Sequence, residues 1–144
     1  MRAKDYLKRI EKLDAVIQNK RIEKEQWEDI ARSVTGQMGG ERVQSSGSQQ
    51  KMADAMDNAV DIGSEIDSLL LKLAAEKQEI ISTIEQLNAT EYDLLHKVYV
   101  QHIDLYGVAE VYDRSYSWVT TVHGKALKSL QKILNQRETR QWQK

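Results

Sequence analysis

A chain of 144 residues suffices for one domain, or for one small domain with an appendage, and for a core of modest size. It contains no proline, cysteine or phenylalanine and is 30% charged and 6% aromatic; this excludes disulfides, Cys-ligated zinc and thiol catalysis, and predicts an all-α protein with narrow apolar stripes in place of a thick core. The net charge of −1 taken alone argues against a nucleic-acid partner, but residues 1–113 hold fourteen Lys or Arg against twenty-one acids, net −7, and residues 114–144 seven against one, net +6.

No apolar run approaches the ~20 residues that a membrane-spanning helix needs. The N-terminal MRAKDYLKRIEKLD is too charged for a signal peptide, so a cytoplasmic protein with no membrane partner is expected.

In chain order, residues 1–34 read as one long helix. Leu7, Ile10, Leu13 and Ile17 recur at steps of three and four, Lys20 and Lys24 interrupt the stripe, and Trp27, Ala31 and Val34 resume it. Like-charged neighbours such as Lys8 with Lys12 and Lys20 with Lys24 mean that surface pairing does not hold this helix; a partner helix must. Residues 35–50 carry four of the seven glycines and three serines with no periodicity, and are expected to form a flexible Gly/Ser linker. A phosphate cradle would need the GxxxxGK spacing after a strand, and neither is present.

Residues 51–87 form the longest clean pattern: Met52, Met56, Ala59, Ile62, Ile66, Leu69, Leu73, Ile80, Ile84 and Leu87. At 1.5 Å per residue this is a helix of roughly 50 Å. That length belongs to coiled-coil or hairpin packing. Eight acids against three lysines on this helix, and nine basic residues against seven acids on the first, suit a long antiparallel hairpin, with a second copy completing a four-helix assembly. A homo-oligomer through the hairpin is the expected state.

A trihelical helix-turn-helix domain is predicted over 88–136. Thr90 with Asp93 has the form of a capping box opening a helix to about His102 that buries Leu94, Leu95, Val98 and Tyr99. A second helix spans about 105–112, with Val108, Ala109 and Tyr112 on one face and the small Ala109 where two helices approach. Asp113 tolerates the left-handed conformation that the turn needs. Arg114 stands where an aliphatic residue normally points inward: either its stem packs and its head stays outside, or the register shifts by one. Ser115 is placed as an N-cap, and Val119, Val122, Ala126, Leu127 and Leu130 continue as the buried face of the reading helix. Residues 137–144 read as a fraying polar tail carrying Trp142.

Leu87, Tyr92, Leu94, Leu95, Tyr99, Val108, Ala109, Ser115, Val119 and the run His123-Gly-Lys-Ala-Leu127 together resemble region 4 of the bacterial sigma-70 family, and more narrowly the phage late-transcription regulators of the ArpU and RinA type. The resemblance covers about a third of the chain. It implies binding to promoter double-stranded DNA and engagement of RNA polymerase in a host cell, with Tyr116, Ser117, Thr120 and Thr121 at the positions that read a −35-type element. These four include no Arg or Gln, so bidentate guanine readout is not available from them, and one copy alone should bind weakly. From the helix itself, Arg114, Lys125 and Lys128 are placed for phosphates.

No catalytic residue or cofactor is expected, since no Ser-His-Asp order, HExxH or paired buried carboxylate is visible. His96, His102 and His123 share no metal-ligand spacing. Two alternatives to a promoter-reading regulator stand beside it. One is a small terminase subunit for DNA packaging, which also joins a helix-turn-helix to an oligomerising hairpin but commonly in the opposite order. The other is a helical oligomerisation or protein-interaction module.

Overall fold

The computed structural model describes residues 1–38 and 46–143. Its elements are all helical: α1 Ala3–Leu7, α2 Arg9–Met38, α3 Ser46–Ile84, α4 Ala89–Leu95 continued by a π-helical turn His96–Val100, α5 Leu105–Tyr112 and α6 Tyr116–Trp142. Two compact units are present, Met1–Lys12 with Ala74–Lys144, and Leu13–Leu73.

Several boundaries differ from the sequence expectation. The first helix is interrupted at Lys8, whose ψ of −6° departs from the α value while its N–H still reaches the Lys4 carbonyl. It runs past 34 to Met38, and the third helix begins at Ser46, so both flanks of the expected 35–50 linker are helical; its centre, 39–45, lies outside the described residues. With no proline in the chain, nothing forces either helix to stop where its apolar stripe fades. For the same reason α6 continues to Trp142 through the supposed fraying tail.

The first unit has a core that no single helix supplies. Leu7 and Ile10, Ile80 and Ile84 of α3, Leu94 and Leu95 of α4, Val108 of α5, and Val119, Ala126 and Leu130 of α6 are all fully buried. Each large aliphatic side chain among them contributes ~1.5–3 kcal/mol by leaving water. Helix α1, expected only as the start of a hairpin arm, lies against α6. The Ala3 amide donates to Gln131 Oε1 at 2.8 Å, Gln131 Nε2 returns to the Met1 carbonyl at 2.9 Å, and the Met1 ammonium meets Glu138 at 2.8 Å. Beneath them sits Thr83, a buried polar residue. Its hydroxyl bonds the Tyr6 hydroxyl at 2.9 Å, accepts from Arg137 at 2.8 Å and donates to the Glu79 carbonyl at 2.9 Å.

The cap of α4 is Asn88, whose side chain accepts from the Glu91 amide at 2.9 Å; Thr90 lies inside the helix, so the cap sits two residues earlier than expected, and the Glu91 carboxylate accepts from the Ser129 hydroxyl at 3.3 Å. Asn and Thr both suit the position, and the choice is settled by where α3 ends, at Ile84, with a turn through 85–87. The helix expected to reach His102 instead widens at His96, with the Gln101 amide bonded to the His96 carbonyl five residues back. Tyr99 is buried and Val98 only half-buried. His102 then adopts a positive φ of 60° and Asp104 caps α5.

In the second unit α2 and α3 run antiparallel. Lys20 Nζ reaches Glu65 at 2.9 Å, and the stem of Lys24 lies where a Cβ on Gly63 would come within 3.3 Å, so rising numbers on one helix face falling numbers on the other. Ile17, Ala31, Ala55, Ala59, Ile66 and Leu73 are buried. The spacing of Ala59, Ile66 and Leu73 is a strict heptad. Met56, expected on the inner stripe, is 50% exposed and Ala55 takes its place. Lys20 and Lys24 are half-buried, bridging to carboxylates. The Glu65 hydrogen bond, then its charge, raises the Lys20 ammonium above its ordinary range.

Candidate nucleic-acid interface

The turn between α5 and α6 follows from three residues. Asp113 is left-handed, at φ 51° and ψ 50°. Its amide bonds the Glu110 carbonyl at 3.2 Å, and the next amide, of Arg114, reaches back to Ala109 at 3.0 Å, the paired bonds of a Schellman ending. Ser115 Oγ then accepts from the Trp118 amide at 3.1 Å and starts α6. At the other end of α5, Asp104 caps the Gly107 amide at 2.7 Å. A Cβ on Gly107 would meet Ile103 Cγ2 at 2.8 Å, so this glycine permits a close approach.

The inward line of α6 is Val119, Ala126, Leu130 and Leu134, all buried. At 100° per residue the opposite line is Ser117, Thr121, Gly124, Lys125, Lys128 and Lys132, all exposed. The structure therefore brings Ser117, Thr121, Lys125 and Lys128 onto one face and adds Lys132 and Gly124, which sequence reasoning left out. Continuing the four-residue step beyond Lys128 would have found Lys132. Among the described residues, a Cβ on Gly124 would meet nothing within 4 Å, so no packing among them calls for glycine there.

The other three predicted site residues flank this face. Tyr116 and Thr120 are turned to one side, where the Tyr116 ring stacks on Tyr106 at 4.2 Å and the Thr120 hydroxyl donates to the Ser117 carbonyl at 2.9 Å. Thr121 donates to the same carbonyl, also at 2.9 Å, so both threonine hydroxyls keep only acceptor capacity. Arg114 lies on the opposite flank, exposed, its guanidinium 5.2 Å from the centre of the Trp118 ring. That resolves its role in the turn: the head stays outside and the register holds. Trp118 meets Tyr112 edge-on at 5.9 Å. Tyr112 donates to Asp93, which Lys97 also holds at 3.0 Å. The Tyr112 hydrogen bond, opposed by burial and helped by Lys97, keeps the Asp93 carboxyl below its usual range, while burial and that same bond push the Tyr112 phenol up.

On the Tyr116 side the surface dips into a cleft of about 440 Å³, lined by Lys4, Lys8, Tyr106, Tyr116 and, deeper, Tyr99 and His123. The Tyr99 hydroxyl and His123 Nε2 are 2.8 Å apart. Burial, and secondarily Glu11, pushes the Tyr99 phenol up to about 12. Burial, and secondarily Lys4, pushes the His123 imidazole down. Among the described residues no His, Cys, Asp and Glu group is arranged to hold a metal ion, and no helix is long and apolar enough to cross a membrane. No family model, curated protein or solved structure matches this chain.

Proposed function

We propose that this protein is a phage or prophage transcription regulator that binds double-stranded DNA with α5 and α6 used as a helix-turn-helix and engages RNA polymerase at a promoter. The observation that carries the reading is the outward face of α6: small polar side chains at its N-terminal end, Ser117 and Thr121, followed by Lys125, Lys128 and Lys132, with no acid among them. Among the described residues, none of these lysines, nor Arg114, comes within ion-pair distance of a carboxylate. Arg137, on the inner side of the same helix, is paired with Glu79. Free cations in a line on one helix face are the electrostatic footprint of phosphate binding. Gly124 adds a place where a phosphate or sugar approaches the helix backbone closely.

Base reading falls to Ser117, whose hydroxyl can donate or accept, and to Thr121, which reaches bases as an acceptor or through water, so affinity from one copy is low and a second copy or polymerase supplies the rest. The exposed Met56, Val60 and Leu71 of α3 support self-association through the hairpin. The same apolar residues are what a DNA-packaging subunit would use to form a ring, so the oligomer separates the two readings.

The test is selection of bound duplexes from a random 30-mer pool, followed by titration at two salt concentrations and light scattering of the free protein. An enriched sequence, bound more weakly as salt rises, with a dimer or tetramer in solution, supports the regulator. A ring of eight or more subunits supports packaging. Absence of duplex binding at low salt makes the α5 and α6 pair a protein-contact module.

A further inference from the structure

We propose that the N-terminal helical segment is a second DNA-contacting element, in which Lys4, Lys8 and Lys12 take phosphates of the strand that runs along the Tyr116 side of α6. The inference rests on the DNA-binding reading above and adds to it a part of the chain about a hundred residues away in sequence.

The three lysines stand at i, i+4 and i+8, and although the helix is interrupted at Lys8, the Lys8 amide bonds the Lys4 carbonyl and the Lys12 amide the Lys8 carbonyl, both at 3.0 Å, so a helical step of ~6 Å separates each from the next. All are exposed, and among the described residues none is within ion-pair distance of an acid. Like charges at that spacing repel, so the row costs stability until an anion lies along it. The cleft that Lys4 and Lys8 line opens beside Tyr116 and Tyr106, which places the row next to the first turn of α6.

Two acids share the cleft. Asp104 is occupied as the cap of α5, its Oδ1 accepting from the Gly107 amide. Glu11 remains, and one carboxylate does not neutralise three ammonium groups. A ligand that suits several cations in a row beside stacked tyrosines is a polyanion with flat groups, and the proposed face of α6 supplies its identity as duplex DNA.

Groove geometry gives the independent argument. The major groove is ≈ 12 Å wide and a helix with its side chains ≈ 10–12 Å across, so a seated helix has a phosphate strand on each flank. On one flank of α6 the chain offers Arg114, held over Trp118. On the other flank neither α5 nor α6 carries a cation, and Lys4 and Lys8 fill that place.

The test uses the full chain and one duplex enriched by the wild type, with affinity followed by anisotropy from about 50 to 200 mM salt. The variant is Lys4→Gln with Lys8→Gln and Lys12→Gln; the control is Lys51→Gln with Lys72→Gln, two exposed lysines of α3. At about 0.9 per phosphate, the slope of log affinity against log salt becomes shallower by roughly 2–3 in the variant and stays at the wild-type value in the control. Sequence preference is unchanged, because phosphate contacts position and do not specify. If the triple variant does not fold, Lys8→Gln alone carries the test with a change of about 0.9. A wild-type slope in a folded variant overturns the inference and leaves the DNA reading standing. Failure of the wild type to bind any duplex overturns both.

Discussion

Tyr116 lies flat against Tyr106, ring centroids 4.2 Å apart and planes 9° from parallel, and both rings are exposed. The stack ties the first residue of α6 to the first turn of α5 and takes Tyr116 off the line of Ser117 and Thr121. Under the proposed DNA reading, Tyr116 would then flank one strand while Ser117 and Thr121 face the bases. Tyr116→Ala should weaken DNA binding by a similar factor for every duplex tested, while Thr121→Ala should alter which sequences are enriched. Competition titrations with the selected duplex and a scrambled one check this. A Tyr116→Ala variant with altered preference and unaltered overall affinity would contradict the assignment.

The Tyr99 and His123 pair carries a pH dependence. Burial first, and then the charge of Lys4, lowers the folded imidazole below its ordinary 6.5. Between the folded and unfolded values the unfolded chain binds more protons, so stability rises with pH through that interval. The contribution is fully present above about 6.5 and is lost as pH falls through the folded value. Asp93, lowered chiefly by its bond from Tyr112, acts in a separate window: its contribution is present above 3.8 and is lost as pH falls below that. Thermal unfolding of wild type and His123→Gln at about pH 7.5 and pH 5 should show a smaller pH effect in the variant. Equal slopes would remove His123 from the account.

Asp113 is a non-glycine residue at φ 51°. The left-handed region costs an ordinary L-residue ~1–2 kcal/mol, less for Asp. Glycine removes that cost but adds freedom to the unfolded chain, so Asp113→Gly should stabilise by about 0.5–1 kcal/mol. Asp113→Val should destabilise by more than that, because a β-branched side chain is a poor fit at positive φ. Chemical denaturation of the two variants checks the sign. A destabilised glycine variant would mean that the aspartate side chain makes an interaction worth more than the strain.

That turn was legible because each of its residues has a local reason: a left-handed Asp, a Ser cap and a small Ala109 at the helix approach. Local reasons also explain the misses. Nothing near Thr90 distinguishes it from Asn88 as a cap until the end of α3 is known. Polarity after Leu134 suggests fraying, yet polarity does not end a helix when Gln, Arg and Glu are good helix formers and no Gly or Pro follows. Least legible was the docking of α1 on α6. Ala3, Tyr6 and Leu7 carry the same apolar spacing as the rest of the first helix, and no periodicity says which partner they meet.

The glycines show the same limit. Gly107 and Gly124 are indistinguishable by sequence, each a lone glycine within a helical pattern. Gly107→Ala would press a methyl against Ile103 Cγ2 at 2.8 Å and should destabilise by about 1–3 kcal/mol. Gly124→Ala meets nothing and should stabilise by up to ~1 kcal/mol from helix propensity alone. Under the DNA reading it should also weaken binding, because the added methyl lies on the contact face. Unfolding curves and the anisotropy titration decide both. A Gly124→Ala variant with undiminished affinity would show that the helix backbone is not approached there.

Thr83 couples three segments distant in sequence, and its substitution reads out that coupling. Thr83→Val keeps the shape and removes the hydroxyl, leaving the Tyr6 hydroxyl and one Arg137 donor without the partner they have at 2.9 and 2.8 Å. Stranding buried polar groups costs ~1–3 kcal/mol. At about 2–4 °C per kcal/mol for a protein near this size, the melting temperature should fall by roughly 2–12 °C. Tyr6→Phe in the same background removes one stranded group, so the double variant should be destabilised by less than the sum of the singles, with a coupling of about 0.5–3 kcal/mol. Arg137 retains Glu79 at 3.9 Å and limits the loss on its side. Strict additivity of the two singles would mean that Tyr6 and Thr83 do not act through one another, and that α1 is held to this unit by its buried Leu7 and by the contacts of Met1 and Ala3 with α6.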